Sequence, residues 1–82
     1  MQEQEIGEVS NYFAHVNVAA IKLSAPLKIG DTILIKGGEN EFTQIVESMQ
    51  INRKNVESAN AGDEIGILVK EKVRKGYKVF KV

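Results

Sequence analysis

Turn-forming residues divide this 82-residue chain so finely that no segment with a convincing helical pattern remains. Proline fixes φ, glycine permits positive φ, and aspartate accepts bonds from nearby backbone N–H groups. Such residues fall at Pro26, Gly30-Asp31, Gly37-Gly38, Gly62-Asp63 and Gly76. The strand-like segments between them are 6–13, 18–23, 32–36, 42–52, 64–70 and 77–82. Short strands joined by tight turns predict an all-β fold, a small six- or seven-stranded antiparallel β-barrel.

Details of these segments refine the expected barrel. The segment 18–23 is apolar on both faces except at Lys22, as in a strand that is buried on both sides. The apolar residues of 42–52 change parity between Ile45 and Val46, which predicts a bulge or bend. Gly66 inside a strand indicates close backbone approach. Residues 53–60 have no capping box, so we expect an irregular excursion with at most one helical turn.

Length and composition indicate one domain. Apolar residues make up 43% of the chain, enough for one core, and there is no cysteine for a disulfide or a thiolate site. We expect residues 1–5 to form a flexible tail and residues 6–82 a single domain. The first residues are acidic, unlike a secretory signal, and the apolar run Val16 to Ile21 is too short to span a bilayer. These features predict a soluble cytoplasmic protein.

No catalytic or metal-binding constellation can be assembled. His15 is the only histidine, and we expect it to be a rim or packing residue, with a ligand contact as the alternative. No serine lies in a nucleophile-elbow context, and no glycine pattern matches a phosphate loop. We therefore expect no enzyme activity, no catalytic residue, no metal and no cofactor.

The charge is balanced overall but distributed unevenly. Residues 70–82 hold six basic residues and one acidic residue, whereas residues 1–69 hold five basic and ten acidic residues. The basic tract could neutralise phosphates of a nucleic acid, with binding that weakens in salt. Alternatively, it could face the acidic N-terminal strand across the barrel and stabilise closure. Aromatic residues for base stacking are few: Tyr12, Phe13, Phe42, Tyr77 and Phe80.

Two glycine–aspartate elements carry a resemblance to a known family. Residues 27–33, Leu-Lys-Ile-Gly-Asp-Thr-Ile, resemble the L-K-x-G-D-x-[VI] turn of domain two of translational GTPases such as elongation factor Tu. Residues 59–67 resemble that domain's A-x-A-G-D-x-[VI]-G-[IL] element, and residues 74–79 its final strand. The chain is also similar to the C-terminal barrel of the collagenase-like peptidase family, through residues 6–13 and 42–51. That family includes enzymes implicated in RNA hydroxylation, and the resemblance covers residues 6–82.

The resemblance implies a non-catalytic module of the translation-factor type. In the GTPases this barrel contacts the aminoacylated end of tRNA near the positions of Gln50 and Leu68, while an absent domain hydrolyses GTP. We therefore expect binding to tRNA or rRNA, or assistance to an RNA-modifying or translation complex. The expected phosphate contacts are Lys70, Lys72, Arg74, Lys75 and Lys78, with a second edge at Gln50, Arg53 and Lys54. The alternative is a protein-interaction module that docks on a larger enzyme through an apolar face, for which Tyr12, Phe13 and Phe42 are candidates.

Overall fold

The structure, a computed structural model, describes residues 4–82. These residues form ten β-strands and no helix, and hence no helix long and apolar enough to cross a membrane. The strands are β1 (Gln4–Phe13), β2 (Val18–Leu23), β3 (Leu27–Lys28), β4 (Thr32–Gly37), β5 (Asn40–Ile45), β6 (Gln50–Ile51), β7 (Lys54–Asn55), β8 (Ser58–Ala59), β9 (Glu64–Leu68) and β10 (Lys78–Lys81). The all-β prediction is confirmed.

All of the pairings between the described strands are antiparallel. Eight strands form one sheet in the order β5-β4-β10-β1-β2-β9-β6-β7, and β3 pairs with β8 separately. Within residues 4–82, β5 and β7 are the two ends of this order, and no backbone ladder joins them. Six strands have four or more residues, which agrees with the predicted number, and the other four described strands have only two residues each.

The longest strand, β1, holds the sheet together by pairing with both β10 and β2. Its register shifts between Glu5 and Gly7 and again between Val9 and Asn11. Such irregularities bend a strand and increase its twist, which helps the sheet to wrap around one core. Gln4 lies opposite Lys81 at the end of this pairing. Of the expected tail, residues 1–3 lie outside the described residues, whereas residues 4 and 5 belong to β1.

The core consists of aliphatic side chains at alternating strand positions. Val9, Ile21, Ile35 and Val79 are completely buried and come from four adjacent strands of the sheet. Full burial of each such side chain is worth about 1.5–3 kcal/mol. The two-sided burial predicted for β2 is only partial, because Ala19, Ile21 and Leu23 are buried whereas Val18 and Ala20 are half-buried.

The two glycine–aspartate turns have the same geometry. In the first, the Lys28 N–H donates to Asp31 Oδ2 at 3.0 Å and the Asp31 N–H donates to the Lys28 carbonyl at 3.2 Å. In the second, Asn60 and Asp63 exchange the equivalent bonds at 2.9 and 3.1 Å. Gly30 and Gly62 adopt φ values of 97° and 93°, which favour glycine. The short strands β3 and β8 lead into these turns and pair with each other in antiparallel fashion, so the two turns leave from opposite ends of this pair.

Of the expected bulge or bend between Ile45 and Val46, the bulge is absent, whereas β5 does end at Ile45 and the chain turns from β4 to pair with β9 at Gln50. The ladder between β4 and β5 runs without a register shift from Gly37 opposite Asn40 to Thr32 opposite Ile45. The Val46 N–H then donates to the Asp31 carbonyl at 2.9 Å, which continues the same edge. The apparent change of parity arises because Ile45 faces outward and a polar residue, Gln44, takes the inward position before Val46.

Close approach at Gly66 is confirmed. This residue lies opposite Ala20 on β2 and opposite Gln50 on β6. A β-carbon at this position would meet Val18 Cγ1 at 3.3 Å. Residues 53–60 contain no helix, as predicted, but the expected irregular excursion includes the two short paired strands β7 and β8.

Candidate functional site

A buried amide connects β5 to the segment that follows β9. Gln44 is 6% exposed. Its Nε2 donates to the Leu68 carbonyl at 2.8 Å, and its Oε1 accepts from the Lys70 N–H at 3.0 Å. A peptide group in a parallel ladder bonds in the same way to the residues before and after its partner. We name the gap between β5 and residues 68–70 the seam. The side-chain amide of Gln44 bridges it with these two hydrogen bonds.

The surface of the seam is a groove of about 380 Å³. Its lining residues are Gln44, Ile45, Glu47, Ser48, Leu68, Val69 and Lys70. Ile45 and Leu68 are 54% and 58% exposed, the highest values among the large hydrophobic side chains of the described residues. Alternation along the chain explains both exposures. Ile45 points outward because its neighbours Gln44 and Val46 are buried, and Leu68 points outward because its neighbours Ile67 and Val69 are buried. Two exposed aliphatic residues in one groove form a candidate contact surface.

The predicted basic residues from Lys70 to Lys75 lie on an ordered segment between β9 and β10. The Val69 N–H donates to the Asn17 carbonyl at 2.9 Å, and the Gly76 N–H donates to the Val9 carbonyl at 2.8 Å. Val73 is 2% exposed and anchors the middle of the segment. The basic side chains of this segment are exposed and form no ion pair among residues 4–82: Lys70, Lys72, Arg74 and Lys75.

Lys78 differs from these four because it faces the acidic first strand. Its Nζ lies 2.5 Å from Glu8 Oε1. The hydrogen bond to Glu8 and the negative charge of that carboxylate raise the pKa of Lys78 above its ordinary value of 10.5. On the same strand, Lys81 pairs with Asp31 at 3.3 Å. The alternative role of the basic tract, contact with the acidic N-terminal strand, therefore applies to Lys78. This side chain would have to break its ion pair with Glu8 before it could contact a phosphate.

The predicted second edge is the hairpin of β6 and β7. Gln50 Nε2 donates to Asn55 Oδ1 at 3.0 Å, and Ile51 lies opposite Lys54. Asn52 and Arg53 form the turn, with φ values of 52° and 66°. Two consecutive residues with positive φ are typical of a type I′ hairpin turn. Gln50, Arg53 and Lys54 are all exposed.

The predicted site residues fall into three places rather than on one strand or edge. One group follows β9 from Lys70 to Lys75, Lys78 lies on β10, and the third group lies on the β6–β7 hairpin. In the sheet order, β1, β2 and β9 separate β10 from β6. Beside the hairpin, a second groove of about 500 Å³ runs over Ala20 and Gly66 and is bordered by Phe13, which is 41% exposed.

The histidine and two neighbouring carboxylates of the described residues have identifiable structural positions. Residues 4–82 contain no group of three or more His, Cys, Asp and Glu side chains that could hold a metal ion. His15 is exposed in the turn between β1 and β2, as expected for a rim residue. Asp63 accepts from the backbone of Asn60, and Glu64 Oε2 accepts from the Ser10 hydroxyl at 2.6 Å. Both carboxylates thus have structural partners.

The role of Gln44 was missed by sequence reasoning. A signal existed, because strict alternation from Phe42 places Gln44 and Val46 on the inward face and Ile45 outward. A polar residue at an inward strand position needs a hydrogen-bond partner. That partner is 24 to 26 residues further along the chain, so no local pattern indicates it.

Comparisons with known proteins agree with this architecture. The chain is 47% identical over 77 residues to an uncharacterized protease of Methanocaldococcus jannaschii, which covers 93% of the chain and 19% of the relative. It is 37% identical over 82 residues to a collagenase of Porphyromonas gingivalis, which covers 98% of the chain and 23% of the relative. The chain thus spans about a fifth of the length of these curated relatives. No protein-family model matches it.

A solved structure shares the fold. The C-terminal domain of a Geobacillus thermoleovorans protein assigned as a U32 peptidase superposes with a TM-score of 0.90 at 20% identity, covering 95% of this chain and 99% of that domain. The predicted likeness to the C-terminal domain of the collagenase-like peptidase family is confirmed, whereas the barrel and the likeness to domain two of translational GTPases stay predictions. The chain is therefore homologous to a segment of protease- and collagenase-named proteins and has the fold of a U32 peptidase C-terminal domain.

Proposed function

We propose that this chain is a non-catalytic docking module that acts together with a larger protein of the U32 peptidase type. The observation that carries the proposal is the length relationship, because the chain matches about a fifth of each curated relative. The fold match to a C-terminal domain supports an accessory position in such a protein. Catalysis would then belong to the remaining part of the larger protein, and the module would need no cofactor of its own.

A binding experiment with a truncated relative tests this proposal. The probe is the M. jannaschii protease from which the matching 77 residues have been removed. We expect the ¹⁵N-labelled 82-residue chain to bind this probe with saturable amide shifts on one face. An unrelated enzyme of similar charge serves as the control. Absence of binding to the truncated protease, or equal binding to the control enzyme, would contradict the docking role.

RNA binding by a translation-factor-type barrel is a second candidate. It is favoured by the exposed and unpaired cations at Lys70, Lys72, Arg74 and Lys75 in the described part of the chain. Lys and Arg side chains that contact phosphates release counterions, so the affinity falls steeply with salt. Such a module would work in the cytoplasm with tRNA or rRNA.

Titration with total tRNA at low and moderate salt tests the RNA candidate. The double variant Arg74→Ala with Lys75→Ala should lower the salt slope by roughly two phosphate equivalents while the fold is retained. The matched control is Lys22→Ala with Lys28→Ala, which removes two exposed cations that are not among the predicted phosphate contacts. Equal losses in both double variants would indicate nonspecific attraction, and no change in either would reject RNA contact at these residues.

A further inference from the structure

We propose that the groove of the seam is the docking surface, and that its occupant is a protein segment with an aliphatic side chain next to a carboxylate. This inference rests on the proposed docking function and names the surface and the chemistry of the partner. Three features of the groove support the inference: the exposed aliphatic pair Ile45 and Leu68, the positive charge of Lys70 on the β9 side, and the volume of the groove.

The aliphatic pair supplies the attraction. Ile45 and Leu68 project from the two sides of the seam, one from β5 and one from β9, and each exposes more than half of its surface. An aliphatic side chain placed between them would remove apolar surface from water on both sides. The groove volume of about 380 Å³ is near the lower limit of ordinary ligand pockets, so it suits a side chain with its adjoining peptide.

The charges of the groove set the orientation of the occupant. Glu47 follows β5 and Lys70 follows β9, so the two walls carry opposite charges. Lys70 has no ion-pair partner among residues 4–82, and Lys72 adds another exposed cation two positions further on. A carboxylate of the partner on the β9 side would face these cations, and complementary charges of this kind fix the register of an interface.

The hydrogen bonds of the Gln44 amide make this surface rigid. Because the amide joins Leu68 and Lys70 to β5, the two aliphatic side chains are held at a fixed separation. A preorganised surface loses less conformational entropy on binding. RNA is a poorer occupant, because bases stack on aromatic side chains and the groove is lined by none.

A peptide titration of the ¹⁵N-labelled chain tests the inference. The probe is a short blocked peptide, Gly-Glu-Leu-Glu-Glu-Gly, and two matched peptides replace its Leu by Ser or its Glu residues by Lys. We expect only the first peptide to shift the amides of Gln44, Ile45, Leu68 and Lys70 in a saturable way. The variants Ile45→Ser and Leu68→Ser should each weaken binding at least tenfold. The control Val16→Ser should bind normally, because Val16 is 47% exposed in the turn between β1 and β2.

The outcomes separate this inference from the docking function. Equal responses to the leucine and serine peptides, or shifts outside the seam, would overturn the inference. If the truncated M. jannaschii protease still binds Ile45→Ser with Leu68→Ser at full strength, the docking function stands and the seam is rejected. A uridine oligonucleotide that shifts Lys70 to Lys75, with no effect of any peptide, would also overturn it and assign the basic segment to RNA. Lys70→Glu should weaken the acidic leucine peptide, whereas Lys28→Glu should not.

Discussion

The ring of Tyr77 occupies the space next to Gly37 where another residue would place a β-carbon. A β-carbon at Gly37 would lie 2.0 Å from Tyr77 Cδ1 and 2.3 Å from Cε1 and Cγ. Tyr77 immediately precedes β10, and Gly37 ends the neighbouring strand β4. The contact lets a half-buried aromatic ring cover the edge of the core at the end of the β4–β5 hairpin.

Substitution of Gly37 should therefore clash with the ring. We expect Gly37→Ala to lower the free energy of unfolding by about 1–3 kcal/mol, the usual cost of overpacking. In a Tyr77→Ala background the same change should cost much less, because the clashing ring is absent. Urea unfolding of the four proteins of this cycle measures the coupling. The control is Gly66→Ala, whose β-carbon would meet one methyl group at 3.3 Å. Additive effects of Gly37→Ala and Tyr77→Ala would contradict the contact.

The two hydrogen bonds of the Gln44 amide predict that the stability of the variant Gln44→Glu depends on pH. In Gln44→Glu, a protonated carboxyl can still donate to the Leu68 carbonyl and accept from the Lys70 N–H, whereas the ionised form has no donor. Burial and the lost hydrogen bond should raise the pKa of the introduced carboxyl above the unfolded value of about 4.3. The folded state then holds its proton more tightly, so stability falls as pH rises from the unfolded pKa to the folded pKa, by about 2 kcal/mol in total.

Urea unfolding of Gln44→Glu at acidic and neutral pH, relative to the parent protein, measures this effect. Gln44→Leu is the matched control, because it loses both hydrogen bonds at every pH and should cost about 2–4 kcal/mol throughout. The same cost for Gln44→Glu at both pH values would contradict the two-bond geometry of the seam.

The β6–β7 turn predicts a stabilising change. Arg53 has φ 66°, a conformation that costs a residue with a β-carbon about 1–2 kcal/mol. Arg53→Gly should relieve this cost, although glycine also increases the conformational entropy of the unfolded chain. We expect the free energy of unfolding to rise by roughly 0.5–1 kcal/mol. Thermal unfolding measures the gain. Lys54→Gly, one position later in β7, should lower stability instead. A loss of stability in Arg53→Gly would mean that the arginine side chain makes a stabilising contact.

Lys78 provides a test of the contact between the first and last strands. Its pKa lies above 10.5 because it donates to Glu8 and sits beside that negative charge. The folded pKa exceeds the unfolded one, so the stabilisation is complete below about pH 10.5 and is lost as pH rises through the folded pKa. In Glu8→Gln the Lys78 pKa should return toward 10.5 in an NMR titration of the Nζ signal. Glu39→Gln serves as the control, and an unchanged Lys78 pKa in Glu8→Gln would contradict the pairing.

Local chemistry made much of the fold predictable. The positive φ values of Gly30, Gly38 and Gly62 and the aspartate bonds of Asp31 and Asp63 depend on residues within three positions of one another. Glycine and aspartate indicate such turns directly. Most strands between the turns follow from alternation with boundaries shifted by a few residues, but the predicted strand 42–52 is divided into β5 and β6, which pair with different strands.

Non-local contacts account for what the sequence did not indicate. Gln44 can be buried because its amide forms hydrogen bonds with the backbone of Leu68 and Lys70. No sequence pattern near Gln44 indicates those partners. The division of the basic residues also depends on pairing, since Lys78 meets Glu8 across 70 positions of the chain. The strands β7 and β8, with two residues each, are too short to leave a periodic pattern. The candidate surface was thus only partly predictable, through Leu68 and Lys70.

The pairing of Gln4 with Lys81 also decides how this domain would respond to mechanical load. The two ends of the described chain leave from the same end of an antiparallel pair, so tension between them would act perpendicular to the strands and along the hydrogen bonds, which would be loaded one at a time. The bonds between β1 and β10 would then break one after another, like a zipper, and the domain should yield at low force. Force spectroscopy would record this, and a high, single-step rupture would contradict it.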